Sequence, residues 1–249
     1  MSGAMPTRWA ILIDLDGTLV DSAPDIAAAA NRMLAELGAP PLPTGTVRGF
    51  IGNGVAALVR RVLAATSCSR DTDPELALAV FHRHYTDCNG RHGTPYAGVL
   101  HGLATLRSLG YRLACVTNKP RAYTLPLLEM TGLSSHFNVV VCGDSTPAMK
   151  PDPAPLLSAC RRLGAQAGEC AMVGDSEVDI AAARAVGMPV YIVRHGYHGE
   201  AGLAALRCDA VIDSFNELPG LLCHARRPDA MASPGQETSI QAIMRGAGG

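Results

Sequence analysis

Apolar residues fall along this chain in short uninterrupted runs: Ala10–Ile13, Leu113–Val116, Val139–Cys142, Ala171–Val173, Val190–Val193 and Ala210–Ile212. Runs of three or four without polar alternation suit strands buried on both faces. Most are separated by stretches of helical period. In LHGLATLRSLG, Leu100, Leu103, Leu106 and Leu109 predict one buried face ending at Gly110. PAPLLSACRRLG and EVDIAAARAVG also end on glycine, the residue that most readily closes a helix. Apolar strands alternating with helices predict an α/β fold: a Rossmann-like parallel sheet with helices on both faces.

Between about residues 21 and 93 the rhythm changes. DSAPDIAAAANRMLAELG predicts a helix starting at Ser22, with Asp25 placed to complete a capping box. VRGFIGNGVAALVRRVLAA and DPELALAVFHRHYTDC predict two more helices, and no strand is evident among them. The pattern predicts a small helical cap domain, 21–93, inserted into a core made of 8–20 and 94–222, with junctions near Asp21 and Pro95. From 223 to 249 apolar periodicity is lost, and a mobile tail is expected.

The 249 residues are 48% hydrophobic, ample for a well-buried core, and the formal net charge of −1 gives no footprint for nucleic acid or acidic lipid. Eight cysteines are scattered with no CxxC, which argues against a zinc ribbon or thioredoxin-type motif and for free thiols. Asp14 interrupts the first apolar run and nothing approaches a membrane-spanning length, so a cytoplasmic protein without a signal peptide is expected. Of 21 basic residues only Lys119 and Lys150 are lysines, which singles both out.

The residues that follow the strands carry the chemistry. Asp14 and Asp16 follow the first run, Thr117-Asn118-Lys119 the second, and Gly174-Asp175-Ser176 the fourth, with Asp179 beyond. Ligands of open parallel sheets bind outside the carboxyl ends of the strands. In extended chain Asp14 and Asp16 point the same way and Leu15 the other. Gly17 lets the backbone turn, and Thr18 is expected to hold that turn through a local hydrogen bond. Crowded carboxylates repel unless a cation joins them, and hard oxygen donors with room for water and phosphate suit Mg²⁺. Singly, each aspartate has an ordinary explanation as a cap or turn residue, Asp179 as the partner of Ser176 in a capping box. D-x-D-G-T together would arise by chance in roughly a few per thousand chains of this length.

DLDGTLVDS, VTNKP, MKPDPAPL and VGDSEVDI resemble, in order and spacing, the four motifs of the haloacid dehalogenase superfamily, in its phosphatase branch, over about residues 9–222. The resemblance implies an aspartyl-phosphate mechanism with Asp14 as nucleophile and Asp16 as proton donor and acceptor. It implies Thr117 and Lys150 on the phosphoryl oxygens, with backbone N–H groups near Leu15, Asp16 and Asn118. It also implies Mg²⁺ held by the Asp14 and Asp175 side chains and the Asp16 carbonyl, with Asp179 steadying the shell through water or Lys150. Lys119 either lines the entrance or only terminates its strand. No lysine lies between Asp21 and Tyr96, which removes the cap lysine expected of a phosphonoacetaldehyde hydrolase or a β-phosphoglucomutase-like mutase. Asp16 separates the chain from true haloacid dehalogenases, which lack the second aspartate.

VRGFIGNGVAALVRR and RHGYHGE resemble segments of bacterial phosphoglycolate phosphatases. That implies 2-phosphoglycolate as substrate, with Arg48, Gly52, Asn53, Asn118 and Lys119 in its binding. Arg48 suits a carboxylate, and Gly52-Asn53-Gly54 a tight turn with exposed N–H groups; alternatively they only shape a helix junction. Competing substrates are N-acetylmuramic acid 6-phosphate, another sugar phosphate, a nucleotide or pyrophosphate. A non-catalytic phospho-ligand sensor is the reading from another class. The expected partner is a small phosphorylated metabolite, without nucleic acid or membrane, in a monomer or homodimer. His82, His84, His195 and His198 are expected in surface or loop-packing roles.

Overall fold

The structure, a computed structural model, describes residues 10–66, 72–199 and 202–225. Strand β1 (Ala10–Ile13) leads through β2 (Val20–Asp21) into four helices, α1 (Ala23–Glu36), α2 (Thr44–Arg48), α3 (Val55–Ala64) and α4 (Pro74–Cys88). The chain returns through β3 (Thr94–Pro95) to α5 (Val99–Ser108), β4 (Arg112–Val116), α6 (Arg121–Met130) and β5 (Val139–Val141). Then follow α7 (Ala154–Leu163), β6 (Cys170–Gly174), α8 (Glu177–Arg184), β7 (Val190–Val193), β8 (Ala210–Ile212) and α9 (Leu218–Ala225).

The six strands expected from the apolar runs pair in the order β5-β4-β1-β6-β7-β8, all parallel. Strand alternation sends successive side chains to opposite faces. Ile11 and Ile13 pack with Leu103 and Leu106 of α5 and Leu127 of α6, while Ala10 and Leu12 pack with Leu156 of α7 and Ala182 of α8. Both faces are covered, which is why the strand runs carry no polar positions.

On α5 the expected face is partly wrong. Leu103 and Leu106 are buried, but Leu100 and Leu109 are 43% and 45% exposed. A step of three residues turns a helix by about 300°, so side chains at that spacing drift around it and the outer two leave the core. Val99 and Gly102 take their place, Gly102 lying so close to Phe215 that an added Cβ would come within 2.4 Å of that side chain.

The helices between β2 and β3 enclose a separate apolar cluster that includes Met33, Leu34, Val62, Phe81 and Tyr85. The segment expected as one helix over 47–65 is two, α2 and α3, because Gly52 and Gly54 have φ of 120° and 81° and break it. Ser22 and Asp25 do not form a capping box. The fully buried Asp25 instead accepts from the N–H groups of Gly90, His92 and Gly93, at 2.9, 2.8 and 3.0 Å. It thereby ties the start of the helical segment to its end. β2 and β3, missed in the sequence because each has two residues, pair antiparallel beside that point.

Cys88, Cys115, Cys142, Cys160, Cys170 and Cys208 form no disulfide, and among the described residues no helix is long and apolar enough to cross a membrane. The expected tail lies outside the described residues, except that α9 takes in 223–225.

Candidate active site

β1 is where the chain changes direction in the sheet: β4 and β5 lie on one side, β6 to β8 on the other. Loops leaving such a point diverge and open a crevice at the carboxyl edge. Asp14, Thr117 and Asp175 directly follow β1, β4 and β6 there. The turn after Asp14 is closed by backbone alone, Leu19 and Val20 N–H donating to Leu15 carbonyl at 2.9 and 3.0 Å. Thr18 does not hold the turn: its hydroxyl is buried without a partner. Leu15 points into the core as expected. Gly17 has φ +87°, and a Cβ there would fall 2.2 Å from Asp175 Oδ2, so only glycine lets this turn approach the carboxylate.

Lys150 is buried at the centre of the crevice. Its ammonium donates to Asp14 Oδ1 and Asp179 Oδ1, both at 2.7 Å, and to the Val116 carbonyl at 2.8 Å. Burial alone would lower its pKa, but Asp14 and Asp179 outweigh that and the ammonium is held above its usual range. Asp179 Oδ2 accepts from Ser176 Oγ at 2.9 Å and from the Asp175 and Ser176 N–H groups at 3.2 Å. It is therefore both half of the Ser176 capping box and a partner of Lys150. Asp175 Oδ2 accepts from Tyr197 N–H at 2.6 Å.

Oxygens of Asp14, Asp175 and Asp179 lie within 4.8 Å of one another. Burial, with Asp179 and Asp16 nearby, pushes the Asp14 carboxyl up to about 7 despite Lys150. Burial, Asp179 and Asp14 push Asp175 well above the ordinary carboxylate range. One ammonium does not neutralise three buried carboxylates. The all-oxygen donor set and its uncompensated charge fit a hard divalent cation such as Mg²⁺.

Asp16 lines, together with Asp14, a small cleft of about 50 Å³. It accepts from Ser22 Oγ at 2.5 Å and pairs with Lys119 Nζ, 3.0 Å from Oδ1. Lys119 also donates to the hydroxyl of Tyr85, reaching in from α4. Burial lowers the Lys119 pKa, but Asp16 and Tyr85 outweigh it and the net shift is upward. Thr117 and Asn118 complete the core side of the cleft, and Ile51, Gly52, Val55, Leu58 and Phe81 form much of the opposite wall.

The substrate residues expected from sequence divide. Gly52 and Lys119 line the cleft. Arg48 is turned away, donating to the carbonyls of His195 and Gly196 at 3.0 and 3.4 Å with its guanidinium over the Tyr197 ring. Asn53 is outside the cleft lining and accepts from Arg61 at 2.8 Å. The Asn118 side chain is engaged by protein, donating to Gly52 and Lys150 carbonyls and accepting from Lys150 N–H at 2.9, 2.8 and 2.9 Å. The four histidines meet Tyr123, Glu36, Thr18 and Val193. Ser22, Tyr85 and Tyr197 were missed. Ser22 reads as a helix start and Tyr85 as a position inside a helix; nothing local marks either one.

The segment 11–193 matches the family described as haloacid dehalogenase-like hydrolase. A Cupriavidus necator protein named phosphoglycolate phosphatase, plasmid, is 60% identical over 87% of this chain and 94% of its own. A Thiobacillus denitrificans protein named phosphoglycolate phosphatase is 44% identical over 84% and 92%. The fold superposes on a Haemophilus somnus crystal structure, described as a predicted phosphoglycolate phosphatase, with a TM-score of 0.82 and 30% identity, covering 88% of this chain and all of the other.

Proposed function

The chain belongs to the haloacid dehalogenase-like hydrolase family, and on that premise we propose that it is a Mg²⁺-dependent phosphatase hydrolysing 2-phosphoglycolate to glycolate and phosphate. The observation that carries the reading is the meeting in one cleft of two aspartates with unlike partners. Asp14 is tied to Lys150 in the carboxylate cluster, and Asp16 stands outside that cluster, facing Ser22 and Lys119.

Asp14 is the nucleophile, forming an aspartyl phosphate as the ester oxygen departs. Lys150 grips its Oδ1, which orients the carboxylate and leaves Oδ2 to attack. Asp16 gives a proton to the departing alkoxide and later takes one from the water that hydrolyses the intermediate. The Thr117 hydroxyl and Lys150 ammonium steady the phosphoryl oxygens. Mg²⁺, when bound by the Asp14 and Asp175 carboxylates and the Asp16 carbonyl, supplies charge that lets an anionic nucleophile meet an anionic phosphate. Asp179 holds Lys150 and the Asp175 N–H in place for that site.

In this reading residues 21–93 act as a cap on a core of 8–20 and 94–222, hinged where β2 pairs with β3. Its wall is largely apolar and excludes water from the intermediate. A cytoplasmic monomer or homodimer belongs to the same reading.

The test is phosphate release with Mg²⁺ across 2-phosphoglycolate, pyrophosphate, a nucleoside monophosphate, and glucose and N-acetylmuramic acid 6-phosphates. Phosphoglycolate is expected to lead in kcat/KM by about 100-fold, or roughly 2.7 kcal/mol of transition-state binding. Another compound in the lead sinks the substrate assignment and leaves the chemistry. Saturable binding without turnover sinks the chemistry and favours a sensor.

A further inference from the structure

We propose that Lys119, held from the cap by Tyr85, recognises the substrate's carboxylate, a role that sequence resemblance suggests for Arg48. The proposal rests on the phosphoglycolate reading and deepens it.

Three cations of this chain lie near the site, and two of them are outside the cleft lining. Lys150 stands on the phosphoryl side of the site, held between Asp14, Asp179 and the Val116 carbonyl. Arg48 directs its Nη2 to the His195 and Gly196 carbonyls, with the guanidinium over the Tyr197 ring. Among the described residues lining the cleft, Lys119 is the one cationic side chain. It is 5% exposed, so its charge acts in a weakly polar surrounding where an ion pair gains strength.

Its position matches the ligand. In 2-phosphoglycolate one methylene separates the ester oxygen from the carboxylate. Asp16 is the group that serves the ester oxygen, and Lys119 Nζ lies 3.0 Å from Asp16 Oδ1. An ammonium one hydrogen bond beyond the proton donor stands where a carboxylate one carbon beyond the ester oxygen would lie. The substrate's carboxylate then takes over part of the ion pair that Asp16 makes alone in its absence.

Tyr85 makes the arrangement depend on the cap. Its hydroxyl accepts from Lys119 Nζ, its ring lies 4.7 Å from that nitrogen, and it is 1% exposed, stacked on Phe81 at 5.4 Å. A phenol so confined fixes the direction of a flexible four-carbon side chain before the ligand arrives. Core chemistry and cap thus meet at one ammonium, and the cap contributes selectivity without donating a charge of its own.

The experiment compares 2-phosphoglycolate with ethyl phosphate, which keeps the two-carbon ester and lacks the carboxylate. Lys119→Met is expected to lower kcat/KM for phosphoglycolate by about 100-fold, mainly through KM, and for ethyl phosphate by under about 10-fold. Lys119→Arg keeps the charge and is expected to retain most of the preference. Tyr85→Phe keeps the ring packing and is expected to raise KM for phosphoglycolate by about 10-fold, with a smaller rise for ethyl phosphate. Should Lys119→Met fail to fold by circular dichroism, the other two variants carry the same comparison. Equal losses on both esters would assign Lys119 to Asp16 alone and overturn the proposal. So would a preference that survives both Lys119→Met and Tyr85→Phe, or one that collapses in Arg48→Met instead. A wild-type enzyme that turns over both esters without preference overturns the phosphoglycolate reading itself, and it does so before any variant is made.

Discussion

Replacing Lys150 by Met tests the charge balance at the site without enzymology. The side chain keeps its length and loses its ammonium, which in the wild type donates to Asp14, Asp179 and the Val116 carbonyl within 2.8 Å. Removing one partner of a buried ion pair costs about 3–5 kcal/mol, and an abandoned buried carbonyl about 1–3 more. Part of this is recovered, because Asp14, already pushed up to about 7, takes a proton once the cation is gone. The expected net loss at about pH 8 without metal is therefore about 4 kcal/mol. With a urea slope near ~3 kcal/mol/M, the midpoint falls by about 1.3 M. Protonation becomes easier as pH falls, so the gap between wild type and variant is expected to narrow toward about pH 5. Mg²⁺ is expected to restore more stability to the variant than to the wild type, since it joins carboxylates that have lost their only ammonium. Midpoints that coincide at about pH 8, or a gap independent of pH, would refute the view that Lys150 neutralises this cluster.

Three further outcomes follow from the same geometry. Asp14→Asn is expected to abolish phosphate release, by at least ~10⁴-fold in kcat, while far-UV circular dichroism stays unchanged. Asp25→Ala leaves the buried N–H of Gly93 and the part-buried N–H groups of Gly90 and His92 without their acceptor and is expected to cost about 2 kcal/mol, a Tm drop of roughly 4–8 °C; a drop under about 1 °C would show that the helical segment is not closed through this carboxylate. In EDTA, stability from Asp14 should be lost as pH rises, because a folded pKa of about 7 against the ordinary 3.8 means that the folded chain holds the extra proton between those values. The Tm increment given by Mg²⁺ should accordingly grow from about pH 5 to about pH 8 and would contradict this charge balance if it shrank.

Much of the fold is legible in the sequence because buried parallel strands announce themselves locally. Each of the six sheet strands overlaps an apolar run, and the carboxylates that follow β1 and β6 are found at the crevice. Asp14, Asp175 and Asp179 converge as their positions after β1 and β6 require. Where local pattern misled, geometry gives the cause. The leucines of α5 obey a spacing of three, which a helix of 3.6 residues per turn does not keep on one face. Ser22 and Asp25 have the spacing of a capping box, but each finds a partner elsewhere that a reading of consecutive residues does not contain.

Strand positions, the order of the motifs and the placing of carboxylates just after the strands were thus determined by the sequence alone, since they depend on periodicity and spacing over a few residues. The choice among cations was decided only by tertiary structure. Arg48 meets a carbonyl 147 positions away, and Lys119 meets Tyr85 across 34. A long basic side chain reaches several acceptors at similar cost, and which one it takes depends on the packing of the helical segment against the sheet edge.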